Sequence, residues 1–173
     1  MTKPRTIKLT YEEAAGRYAY DPLTGKIFHH PPEPHRHQGR QAGTIRGDGY
    51  RDITYQMRQY KAHRIAWLLT YGAWPEKFLD HINGNRDDNR IANLRECTPA
   101  QSNGNVRVSA SRNKSGFRGV SWYAPYKKWK AALAGKHLGY FDSPEDASRV
   151  YDTAAKERWG EFYSSNRVGG AVV

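Results

Sequence analysis

The sequence predicts an α+β chain built from small modules, and three observations predict it. Short runs alternate apolar and polar residues between Gly- and Pro-containing turns, the pattern of half-buried strands. Elsewhere apolar residues recur at helical spacing behind capping residues. The apolar fraction of the 173 residues is 38%, below the usual ~45–50%. Modules with small cores suit that composition better than one large domain.

Residues 10–21 are predicted to be helical, with Thr10 as N-cap and Glu12 and Glu13 in the first turn. "YDPLTGKIF" reads as a turn into a strand. "HHPPEPHRHQGRQAG" has no periodicity and reads as a solvated loop. Its His29, His30, His35 and His37, with His137 further on, lack zinc-ligand spacing. "TIRGDGYRDITYQMRQYKAHR" predicts two short strands, with Arg46, Arg51 and Arg58 projecting along them. "AHRIAWLLTYG" puts Ala62, Ile65, Ala66 and Leu69 on one helix face and ends at Gly72. "KFLDHI" and "IANLREC" read as two strands around the polar loop "NGNRDDNR". "TPAQ" then starts a helix, with Thr98 as N-cap, Pro99 at the first position and Gln101 as the third. "GNVRVSASRNKSG" contains no acid and reads as a linker. Its Arg107, Arg112 and Lys114 suit a phosphate backbone.

The last segment divides by charge. From Gly116 to Gly139 the ionic side chains are Arg118, Lys127, Lys128, Lys130 and Lys136, with no acid. "FRGVSWY", "KWKAALA" and "KHLGYF" read as three strands. A helix follows, with Ser143 as N-cap, Pro144 at its first position and Asp146 at the third. Its apolar face is Ala147, Val150, Tyr151, Ala154 and Ala155. A three-stranded antiparallel sheet packed on this one helix leaves its other face open and basic, which suits a DNA major groove.

Bulk properties narrow the function classes. The formal charge is +11, which favours a polyanionic partner. Tyr (12) exceeds Phe (5), as suits wet surfaces. Cys97 is the single cysteine, so neither an intrachain disulfide nor a multi-Cys zinc site is available. No run approaches 18 apolar residues, and "MTKPRTIKLTYEE" lacks the apolar core of a signal peptide. The expected location is the cytoplasm, that of the host cell if the chain is phage-encoded, with no membrane partner.

The segment "FLDHINGNRDDNRIANLRECTPAQSN" concentrates the chemistry-bearing residues. The Asp80-His81 pair alone is weak evidence, because neighbours on a strand point to opposite faces. The order of parts is more telling: Asp-His, an Asn-Gly turn, Asn93-Leu94 and a Thr-capped helix. Together with "HRIAW", residues 62–105 resemble the HNH, or ββα-metal, nuclease motif in its phage and intron homing-endonuclease form. That resemblance implies His81 as the general base and Asp80 as ligand of one divalent ion per site, Mg²⁺ or Mn²⁺. It implies Asn93 as the amide that bridges the loop and orients His81. His63 would pack beneath the site and Arg64 would support the phosphate. The family's second ligand falls on Ser102, and Asn103 comes one residue later. Asn103 is the expected ligand, with Ser102 acting through water and an impaired metal site as the alternatives.

Residues 116–166 resemble the Apetala-two/ethylene-response-factor DNA-binding domain. Arg118-Gly119-Val120, Trp122, Trp129, Leu138-Gly139-Tyr140-Phe141, Tyr151-Asp152, Ala154-Ala155 and Asn166 carry the likeness. The resemblance implies that Arg118, Trp122, Lys128 and Lys130 face double-stranded DNA, with Trp129 and Trp159 in the core. The expected organisation is an N-terminal DNA-contacting α/β region (1–61), a ββα-metal nuclease core (62–105), a basic linker (106–115), the sheet-and-helix domain (116–166) and a tail (167–173). The expected function is a metal-dependent DNA endonuclease, acting as a monomer or a DNA-assembled dimer. The alternatives are a DNA-binding regulator with an inactive HNH site and an RNA-binding or structural phage protein.

Overall fold

The computed structural model describes residues 9–30, 39–105 and 114–166. Arg107, Arg112, His35, His37 and the tail lie outside them. The chain divides into two compact units, Met1–Thr98 and Pro99–Val173.

The first unit opens with α1 (Tyr11–Arg17). Thr10 caps it through a reciprocal pair: its side chain accepts from the Glu13 N–H, and the Glu13 carboxylate accepts from the Thr10 N–H. The helix stops four residues before the expected Asp21. Tyr18 is buried there, and the chain turns extended as β1 (Tyr18–Asp21) to pair with β2 (Lys26–His29). His29 therefore ends a strand against the Tyr18 ring, 5.5 Å between centroids, instead of lining a loop.

Where two strands were expected, three form: β3 (Thr44–Ile45), β4 (Arg51–Tyr55) and β5 (Arg58–Lys61), in the order β3-β4-β5. The β4–β5 turn sets Gln56 and Met57 both at positive φ, without a glycine. Helix α2 (Ala62–Tyr71) follows and ends at Gly72, φ +74°. It buries Ala62, Ile65, Ala66 and Leu68 in a core with Leu9, Ala14, Tyr18, Ile27, Ile53 and Leu94. Strands β6 (Phe78–His81) and β7 (Leu94–Cys97) pair antiparallel, with Asp80 opposite Arg95 and His81 opposite Leu94. The loop between them carries the remaining polar residues of the motif.

The second unit begins with the four-residue helix α3 (Pro99–Ser102) and a 3-10 turn at Asn103–Asn105. Strands β8 (Val120–Tyr123), β9 (Lys128–Leu133) and β10 (Lys136–Phe141) form an antiparallel sheet with β9 in the centre. Helix α4 (Pro144–Trp159) packs on it, and Ser143 accepts from the Asp146 N–H as its cap. Ala147, Tyr151 and Ala155 meet Val120, Ala131 and Leu133. Val150, expected on that face, is exposed, and Ser148 is buried in its stead. The "RGV" glycine has a physical cause: Gly119 sits at φ +73°, and a Cβ there would lie 2.1 Å from the Tyr151 ring. Asn166 closes the unit: its Oδ1 accepts from the Arg118 N–H at 2.7 Å and its Nδ2 donates to Asp152 at 2.9 Å.

Candidate active site

His81 is the last residue of β6, 3% exposed. Its Nε2 lies 3.1 Å from Asn89 Oδ1. Asn89 is itself buried, and its Nδ2 donates to the Asp87 carbonyl at 3.3 Å. That bond turns the amide oxygen toward the imidazole, so the shared proton sits on Nε2 and Nδ1 is the basic nitrogen. Burial, first of all, lowers the His81 pKa below its ordinary value. The ring is therefore a neutral imidazole at physiological pH.

The amide that holds His81 is thus Asn89, not Asn93. Asn93 works on the loop backbone: its Oδ1 accepts from the Asn83 N–H at 3.0 Å and its Nδ2 donates to the Asp88 carbonyl at 2.8 Å. Its own carbonyl accepts from the Ile82 N–H at 2.9 Å. The Asn83 side chain reaches Asp88 at 2.6 Å, and Arg90 Nε donates to the same carboxylate at 2.7 Å. The charge-assisted bond from Arg90 holds Asp88 well below the usual carboxylate range, at about 2.

His63, from the first turn of α2, sets its ring edge-on to His81 at 5.0 Å. It is 7% exposed, and burial pushes its pKa down to about 3. This has a consequence for stability. Above pH 6.5 the imidazole is neutral whether the chain is folded or not. Below that value the unfolded chain takes up a proton that folded His63 refuses until about pH 3, so stability falls as pH drops through this window. By about pH 5 the expected loss is on the order of 2 kcal/mol. Urea melts at about pH 7.5 and about pH 5 measure it, and His63→Phe is expected to shrink the difference. An unchanged difference in the variant would refute the assignment.

Asp80, 8% exposed, faces Arg95 across the ladder. Arg95 Nε and Nη2 both donate to Asp80 Oδ2, at 3.1 and 3.0 Å. Among the described residues no group of three His, Cys, Asp or Glu could hold a metal ion. A lone carboxylate is a donor that Mg²⁺ or Mn²⁺ takes together with water and substrate phosphate.

Several residues expected at DNA are engaged within the protein. Arg51 forks onto Asp87, Nε–Oδ1 2.9 Å and Nη2–Oδ2 3.1 Å, and also donates to the Gly43 carbonyl. It fastens the active-site loop to β4. Arg46 pairs with Asp52 at 3.2 Å. Arg64 lies 5.8 Å from the Trp74 ring and donates to the Pro75 carbonyl. Arg58 is half-buried on β5, and Lys114 is exposed.

In the second unit, Arg118 does not project from the sheet. Its guanidinium donates to the Gly104 carbonyl at 2.8 Å and to the Asn103 carbonyl, and it lies 4.7 Å from the Trp159 ring. Asn103 is exposed in that unit. Trp122 pairs across the ladder with Trp129, so it lies on the helix side of the sheet at its edge, half exposed. The opposite face carries Lys130 and Lys128, the latter paired with Asp142 at 3.2 Å. It also carries Tyr123 and Tyr140, tilted against each other with centroids 5.1 Å apart, with Tyr126 and His137 against Tyr140. Sequence reasoning passed over the three tyrosines, although tyrosine abundance was the available signal.

A family model described as HNH endonuclease matches residues 60–103. An uncharacterized HNH endonuclease of Acanthamoeba polyphaga mimivirus is 30% identical over 122 residues, covering 67% of this chain. The chain spans 62% of that relative's length. Protein 3.8 of Escherichia phage T7 is 31% identical over 111 residues, covering 60% of this chain and 90% of its own length. Among solved structures, one described as DNA binding and cleavage by the HNH homing endonuclease I-HmuI covers 56% of this chain and 59% of that one. Its identity is 24% and its TM-score 0.36.

Proposed function

We propose, from the match of residues 60–103 to the HNH endonuclease family model, that the chain hydrolyses phosphodiester bonds of double-stranded DNA with His81 as general base. One observation carries the reading: a buried, neutral imidazole whose Nε2 is held by Asn89, at the mouth of the β6–β7 loop. His81 Nδ1 takes a proton from water as that oxygen attacks phosphorus. The bond from phosphorus to the 3′ oxygen breaks, that oxygen leaves with the bonding pair and takes a proton from solvent, and the products are a 5′-phosphate and a 3′-hydroxyl. Asp80 is the carboxylate that would hold a Mg²⁺ or Mn²⁺ ion. The chemistry this ion supplies when bound is polarisation of the phosphate and neutralisation of the leaving oxygen.

The Arg95 fork on Asp80 favours a second reading, in which the chain binds DNA and regulates without cutting. Supercoiled plasmid separates the two. Nicking by purified protein with Mg²⁺ or Mn²⁺, and none with chelator, is the expected result. Tight duplex binding with intact plasmid under both ions would establish the regulator instead.

Site choice is assigned to the open face of the β8–β10 sheet, through Lys128 and Lys130 beside Tyr123 and Tyr140. Paired Lys128→Ala and Lys130→Ala substitutions are expected to lower the slope of log affinity against log salt by about two. Metal-dependent nicking should persist with weaker site preference. An unaltered slope and cleavage pattern would remove the sheet from recognition.

A further inference from the structure

Arg86 differs from the ion-paired cations that surround His81 and its loop. Around the site, Arg51 is matched by Asp87, Arg90 by Asp88, Arg95 by Asp80 and Arg46 by Asp52. Lys61 bridges Asp48 and Asp52. Among the described residues no carboxylate lies within ion-pair distance of Arg86, and the nearby Asp48 carboxylate is already on Lys61.

The side chain is nevertheless ordered by neutral groups. Arg86 Nη1 donates to the Asp48 carbonyl at 2.7 Å, and the guanidinium carbon sits 4.9 Å over the Tyr50 ring. Tyr50 in turn lies 5.8 Å from His81 and 5.3 Å from His63. One aromatic ring thus separates an exposed guanidinium from the imidazole, and the Arg86 charge is felt at His81. A guanidinium carries five N–H donors, and a single one is spent on Asp48. A pre-oriented fork with its remaining donors open fits a phosphate, the ligand that guanidinium geometry matches bidentately.

We propose that Arg86 is a phosphate-binding residue of the cleaved strand, held on Tyr50 so that its fork grips a phosphate beside the one His81 serves. The role rests on the nuclease reading above and adds a specific contact to it. Removing Arg86 deletes that contact without touching the His81–Asn89 pair.

The test uses the full chain with His81→Ala, so that binding is read without cleavage. Affinity for a duplex is measured across a salt series, with Arg86→Met and Arg86→Lys added separately. Methionine keeps an apolar stem on Tyr50 and removes the fork; lysine keeps charge alone. Arg86→Met is expected to bind about tenfold more weakly, with the salt slope reduced by about one. Arg86→Lys should restore the slope and only part of the affinity. An unchanged slope and affinity in Arg86→Met overturns the proposal. A parallel plasmid assay with His81 intact separates the two ideas. If the protein without substitutions fails to nick, the nuclease reading falls while the salt series still decides Arg86.

Discussion

Replacing His81 by alanine is expected to lower plasmid nicking about 10³-fold while leaving duplex affinity within a factor of a few. The expectation follows from the environment of the ring. Burial disfavours the imidazolium, so the base is in its working form without any competing protonation near neutral pH. Its pH profile should accordingly rise through a pKa below 6.5 and be flat above that value. A wild-type profile still climbing well above that point would assign the base elsewhere. His81→Ala retaining full nicking would end the mechanism outright.

Asp80→Ala is expected to have two effects at once. Cleavage should fall about 10²-fold or more, because the carboxylate for the ion is gone. Stability should fall by about 3 kcal/mol, because Arg95 is left in the β6–β7 ladder without its carboxylate. Both side chains of that pair are largely buried, at 9% and 17% exposed. The two effects can be pulled apart. Adding Arg95→Leu to Asp80→Ala should recover much of the urea midpoint, since an apolar pair replaces the orphaned charge, while nicking stays lost. Recovery of nicking together with the midpoint would show that Asp80 serves the fold alone.

The legible and illegible parts of this chain differ in physical kind. Capping residues announced themselves: Thr10, Ser143 and Gly72 stand at the element ends that the sequence predicts. The β6–loop–β7 hairpin was readable from alternation around a polar loop, and so were the three strands and helix of the second unit. The partner of His81 was not. Asn83, Asn85, Asn89 and Asn93 offer identical amides within one loop, and only its path decides which of them reaches the imidazole. Arg51 looked free because its carboxylate lies 36 residues away in sequence. Trp122 depended on which residue β9 sets opposite it, and alternation alone leaves that register open. Helix α1 was overrun because Glu- and Ala-rich chain favours helix until tertiary pairing of β1 with β2 takes over.

The division after Thr98 has a consequence for how such proteins are assembled in evolution. The family-matched segment runs to residue 103, yet its last turn folds in the unit that begins at Pro99. There Arg118 donates to the carbonyls of Asn103 and Gly104, and a Cβ on Gly104 would collide with Trp159 and the Phe162 carbonyl. Exchange of the C-terminal sheet-and-helix domain by recombination at the basic stretch near residue 110 would strip that turn of its packing. A crossover at Thr98–Pro99 would move it whole. Lineages that exchange this domain are thus expected to inherit the end of the HNH-matched segment along with it.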